Sequence, residues 1–160
     1  MEKLVKLLDA HPGLSAEDMA VMLGISTEEL AKELDALRKD RIYMGSKSVI
    51  NWDNIEEGNH VCAFIEVQVQ PKLGMGFDEL AQKMCKLPDV ECCYLMSGGY
   101  DISLKMRGKS FQDIALFVAR KLSAIEGVLS TRTNFVLKRY KEDGFIMDSL
   151  ESDDRGNISL

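Results

Sequence analysis

The feature that most constrains this chain is the order of two periodicities between residues 60 and 140. Val61, Ala63, Ile65, Val67 and Val69 recur at every second position, the pattern of a strand with one buried face. Phe77, Leu80, Ala81 and Met84 then fall at helical spacing, in a helix that ends near Leu87-Pro88. Val90 to Met96 reads as a second strand, and Ile102, Leu104 and Met106 mark a third. Gly98-Gly99 between them suits a tight hairpin, because both glycines tolerate positive φ. Ser110-Phe111-Gln112-Asp113 has the form of a capping box and opens a helix through Ile114, Val118, Leu122 and Ile125, closed by Gly127. Leu129, Thr131, Thr133, Phe135 and Leu137 alternate along a long fourth strand. The order β-α-β-β-α-β predicts a ferredoxin-like sandwich, one antiparallel sheet with both helices on one face. The other face is expected to carry Phe64 and Leu95 among polar residues, which a monomer would expose and a dimer through the sheet would cover.

Residues 1–55 follow a different rule. Leu4, Leu7 and Leu8 stripe a first helix, which His11-Pro12-Gly13 stops. Ser15-Ala16-Glu17-Asp18 caps a second helix with Met19, Ala20 and Leu23 on its apolar face, and Gly24 fits a left-handed cap at its end. Ser26-Thr27-Glu28-Glu29 caps a third, carrying Leu30, Leu34 and Leu37 and running to about Lys39. Short helices joined by a tight Gly-bearing turn describe a helix-turn-helix. Ile42-Tyr43-Met44 and Ser48-Val49-Ile50 flank Gly45-Ser46-Lys47, which predicts a hairpin wing. Trp52 is expected to anchor that wing or the linker, with Asn54 to Asn59 as the connection and Pro71 to Gly76 as a loop. The fold class is therefore α+β, a winged helix-turn-helix over 1–55 and a ferredoxin-like β-α-β-β-α-β sandwich domain over 60–140. An acidic tail covers 141–160, where Asp143-Gly144 and Phe145-Ile146-Met147 favour a short extra strand and the chain beyond Asp148 a mobile end.

Charge narrows the function. Among 160 residues, 20 Lys and Arg stand against 26 Asp and Glu, a net of −6, so a strongly basic nucleic-acid binder is excluded. No apolar run approaches the roughly 18 to 20 residues of a membrane span, and Met1-Glu2-Lys3-Leu4 lacks signal-peptide form, so a cytoplasmic protein with reduced thiols and no membrane partner is expected. Cys62, Cys85, Cys92 and Cys93 show no C-x-x-C spacing, and strand neighbours such as Cys92 and Cys93 point to opposite faces. They are expected as buried small hydrophobes. His11 and His60 sit in no ligand pair. No metal, cofactor or catalytic residue is expected.

On its motifs the chain resembles the Lrp/AsnC family of feast/famine transcription regulators. The resemblance rests on Leu23-Gly24-Ile25-Ser26, Leu87-Pro88-Asp89-Val90, Ser97-Gly98-Gly99-Tyr100-Asp101, and Gly127-Val128 followed by Thr131 and Thr133. It covers nearly the whole chain. It implies a DNA-binding regulator that forms a homo-oligomer, a dimer extending to a tetramer or octamer, and responds to a small effector, commonly an amino acid. The implied ligand residues are Gly98, Gly99, Tyr100, Asp101, Thr131 and Thr133. Asp101 suits an ammonium group, and glycine amides at 98 and 99 suit a carboxylate. The partner on the helical side is double-stranded DNA, approached by Ser26, Thr27, Lys32, Lys39, Arg41 and Lys47. Ser26 and Thr27 would hold a phosphate at the helix N-terminus.

The helical segment departs from the family here. Residues 1–55 carry 7 basic against 10 acidic side chains, a net of −3, and only Lys32 is basic between 32 and 36. Glu33 is expected to face outward, and Arg41 stands where the family usually has Gly. Duplex affinity is largely phosphate neutralisation, so this module alone should bind weakly. Two alternatives follow: a DNA-binding-deficient sensor or partner subunit of the same family, and an enzyme like the sirohaem decarboxylases, which share this architecture. The enzyme would need basic and imidazole groups that the sheet domain supplies only at His60.

Overall fold

The computed structural model describes residues 2–55, 60–71 and 76–147. Parts of the expected connections at 54–59 and 71–76, and the expected mobile end beyond Asp148, lie outside them. The chain divides into two compact units, Met1–Val49 and Ile50–Leu160. The division precedes Trp52 because that side chain belongs to the second unit. Its ring lies 4.4 Å from that of His60, and the Arg107 guanidinium stands 5.2 Å from its centroid.

The first unit holds α1 (Glu2–Ala10), α2 (Ala16–Leu23) and α3 (Thr27–Lys39). Leu4, Met19, Ala20, Leu30 and Leu37 are buried at their junction. Ser15 accepts from the Asp18 amide, and Gly24 closes α2 at φ 68°, a conformation that costs glycine little. Ser26 and Glu29 form both arms of a capping box.

The expected wing does not form, since residues 43–51 hold no strand. The Ile42 and Tyr43 amides both donate to the Leu37 carbonyl, at 2.9 and 3.2 Å. Tyr43 packs against the helical core, and its hydroxyl lies 3.1 Å from that of Ser46. Packing against the helices draws in the first arm, and an isolated hairpin with three-residue arms has too few ladder bonds to compete. Arg41, just before this segment, takes the left-handed φ of 56°.

The second unit contains β1 (Val61–Val69), α4 (Phe77–Cys85), β2 (Val90–Leu95), β3 (Ile102–Gly108), α5 (Phe111–Phe117) and β4 (Val128–Phe135). The strands lie in the order β2-β3-β1-β4, with every neighbouring pair antiparallel. This is the sheet of a ferredoxin-like sandwich. Ala63, Ile65, Val67 and Val69 face a core shared with Leu80 and Met84 of α4 and Ile114 and Phe117 of α5. After α5 the chain widens into a π turn over Val118–Leu122, where the Ser123 amide reaches back to the Val118 carbonyl. Phe117 and Val118 thereby both face inward.

β4 stops at Phe135, two residues short of the expected Leu137, which is 91% exposed. Leu95 also moves from its expected face. It pairs with Ile102, a core residue, so the two share the helix side of the sheet. Tyr94, opposite Ser103, shares the open face with Phe64, one strand removed from it. Only one of the two hairpin glycines, Gly98 (φ 156°), takes a positive φ.

Part of the expected tail is structured. β5 (Lys141–Glu142) and β6 (Phe145–Ile146) form a hairpin across Asp143 and Gly144, both at positive φ. Glu142 pairs with Lys105 and, at 3.2 Å, with Arg139, while Arg139 also pairs with Asp53. Hydrogen bonding from Lys105 holds the Glu142 carboxyl below the usual carboxylate range. The Asn51 amide donates to the Met147 carbonyl at 2.8 Å. The thiols are less uniformly buried than expected: Cys62 is buried, Cys92 and Cys93 half-buried, and Cys85 exposed. Burial, with Cys85 as a neighbour, pushes the Cys93 thiol up to about 12, which keeps it protonated and unreactive.

Candidate functional site

Two surfaces carry the residues singled out from the sequence. On the helical unit, Thr27, Lys32, Lys39, Arg41 and Lys47 are all exposed. Ser26 is engaged elsewhere. Its hydroxyl donates to the Glu29 carboxylate at 3.0 Å and accepts from the Glu29 amide at 3.2 Å, and its own amide donates to Glu29 at 2.9 Å. These bonds lower the Glu29 carboxyl below its ordinary range. A fixed carboxylate thus occupies the α3 N-terminus where a phosphate was expected.

Glu33 is half-buried rather than outward. It stands three residues after Leu30 and four before Leu37, so it flanks the buried stripe of its own helix. Arg38, absent from the expected set, is exposed, pairs with Asp35 at 3.2 Å and lies 5.8 Å from the Tyr43 ring.

On the sheet unit, Gly99, Tyr100 and Thr131 come together around a cavity of about 500 Å³. Glu66, Gln68, Ser130 and Arg132 complete its lining. Arg132 lies 3.4 Å from the Glu66 carboxylate, and the Asn134 amide donates to Glu66 at 3.2 Å. The Ser130 hydroxyl donates to Gln68 at 2.7 Å, and the Gln68 amide donates to the Gly99 carbonyl at 3.3 Å. These four residues were legible as the polar phase of the alternation whose apolar phase marked β1 and β4.

Gly98, Asp101 and Thr133 are not in this lining. Thr133 pairs with Ile65 and lies on the helix side of β4. Asp101 has a structural duty. The β1–β4 register slips between Gln68 and Val69, and the Val69 amide donates to the Asp101 carboxylate at 2.8 Å. The Asp101 amide donates to the Val67 carbonyl, and its carbonyl accepts from Met96. The loop is thereby closed around Asp101, and the carboxylate that faces the cavity is Glu66. Among the described residues no group of three His, Cys, Asp or Glu side chains is placed to hold a metal.

A helix-turn-helix followed by a ferredoxin-like sheet domain with a polar cavity at its hairpin defines a two-part regulator. Residues 62–146 match the Lrp/AsnC ligand binding domain. The chain is 39% identical over 157 residues to the HTH-type transcriptional regulator YugG of Bacillus subtilis (strain 168), covering 98% of this chain and 95% of that protein. In fold it is similar to the leucine response regulatory protein of Mycobacterium tuberculosis (TM-score 0.75, 19% identity, 91% and 95% of the two chains). It is similar also to a transcriptional regulator of Neisseria meningitidis in complex with L-Met (TM-score 0.67, 21% identity, 88% and 89%). The protein belongs to the Lrp/AsnC family of HTH-type transcriptional regulators. No helix among the described residues is long and apolar enough to cross a membrane.

Proposed function

We propose that this regulator binds double-stranded DNA as a homo-oligomer and senses an amino acid in the cavity beside Gly99 and Tyr100. The observation that carries the effector is the Glu66–Arg132 pair on the cavity wall. A free amino acid presents an ammonium and a carboxylate a few ångströms apart. Glu66 accepts from the first and Arg132 donates to the second, each through a charge-assisted hydrogen bond. Tyr100 borders the side chain, while Thr131, which pairs with Val67, meets the cavity only along its strand. Oligomerisation is supported by the open sheet face, where Phe64 and Tyr94 are 42% and 54% exposed. Lys32, Lys39, Arg41 and Lys47 supply DNA contacts too few for tight binding by one module, and an assembly combines them through effective concentration.

A thermal-shift screen of the twenty amino acids tests the effector. At least one is expected to stabilise the wild type at millimolar concentration and to lose its effect in Glu66→Gln and Arg132→Gln; no response from the wild type overturns the reading. Binding-site sequencing with purified protein at low salt tests the DNA role. Discrete enriched sites are expected, and Lys32→Ala should lower the log–log salt slope by about one unit. Their absence would favour the DNA-binding-deficient sensor.

A further inference from the structure

A second cleft, of about 650 Å³, opens at the other end of the sheet, where His60 precedes β1 and Gly108 ends β3. It is larger than the cavity beside Gly99 and lies about 25 Å from it along β1, at roughly 3.3 Å per residue. Its volume is that of a small-molecule site. Ile114 and Phe117 of α5, with Met106 of β3, give it an apolar floor. Its rim is cationic, with Arg107, Lys109, Arg120 and Lys121. Two acids, Asp89 and Asp113, also line it, a formal excess of two positive charges in the lining before His60 is counted, with Glu91 outside the lining paired to Arg107.

The cations are unevenly engaged. Lys121 bridges to Asp89 at 3.3 Å. Lys109 and Arg120 are exposed and hold no ion pair with a described residue. Arg107 is engaged, since its Nε donates to Glu91 at 3.0 Å and its guanidinium stands against the Trp52 ring. His60 is held against the Trp52 ring, so the imidazole is a fixed wall.

We infer that this cleft is a second ligand site, for a small organic dianion with an apolar body, distinct from the amino-acid cavity. The two rim cations without an ion pair among the described residues, Lys109 and Arg120, call for two negative charges, and the apolar floor calls for a hydrocarbon or ring portion to cover it. A phosphate monoester and a dicarboxylate share that chemistry.

Calorimetry on the full-length protein at low salt, with phenyl phosphate, phenylsuccinate and phenol as probes, tests the site and separates the two sources. At least one dianion is expected to bind at millimolar concentration or tighter, and phenol at least tenfold more weakly. The double variant Lys109→Gln/Arg120→Gln should weaken the dianion at least tenfold. Both residues are exposed, and an unchanged melting curve confirms that the variant folds. Arg132→Gln, at the other cavity, should leave dianion binding intact. The inference is overturned if neither dianion binds, if the double variant binds as the wild type does, or if Arg132→Gln abolishes binding. The last result would place the dianion in the amino-acid cavity, and a wild type that binds dianions but no amino acid would refute only the effector reading.

Discussion

The helical and sheet units solve the same charge problem in opposite ways. In the helical unit the positive end of α3 is closed from within by Ser26 and Glu29. In the sheet unit two cations on a cleft rim, Lys109 and Arg120, hold no ion pair with a described residue. Segment charge alone hides this. Residues 1–55 carry a net of −3 and residues 56–140 a net of +1, from 11 basic and 10 acidic side chains. The difference of four charges shows only that the sheet unit is less acidic. Local pairing decides which cations are left to meet a ligand.

The units differ also in what holds them. The helical core joins elements that are near neighbours in sequence, whereas the sheet joins β1 to β4 across some sixty residues, as in the Ser130–Gln68 bond. The largest expected effect tests whether this makes them independent. Leu37 is fully buried in the helical core, and Leu37→Ala should cost about 2–5 kcal/mol. Hydrogen exchange should show lost protection in α1–α3 and unchanged protection in β1–β4. Equal loss in both would mean that the two units unfold as one.

A smaller effect sharpens the sheet side. Asp101→Ala leaves the Val69 amide without its acceptor and should cost about 1–3 kcal/mol in urea unfolding. Asp101→Asn keeps an acceptor and should recover most of that, with amino-acid binding intact. If Asp101→Asn folds normally and loses the effector, Asp101 rather than Glu66 receives the ammonium.

The smallest effect lies in the helical unit. Arg41 holds a left-handed conformation that a side chain disfavours by about 1 kcal/mol. Arg41→Gly should therefore raise the melting temperature of that unit slightly. A simultaneous fall in DNA affinity would show that the strain is retained for a phosphate contact.

Periodicity and capping chemistry were enough to place α1 to α4, the start of α5, and all four strands of the sheet, because each depends on neighbours within one turn or one strand. Gly24 and the Ser26–Glu29 box were legible for the same reason. The sequence also pointed to the Gly99-Tyr100 end of the sheet through its motif. Three matters were decided only by contacts between distant segments. Tyr43 joined the helical core, so the wing was not made. Asp101 was drawn to Val69, thirty-two residues away, where the strand register slips. Glu66 met Arg132 across β1 and β4, and that pairing determines which carboxylate the cavity presents. A side chain's partner depends on strand register and packing, which are properties of the assembled sheet, whereas its tendency to lie in a helix or strand depends on residues beside it in the chain.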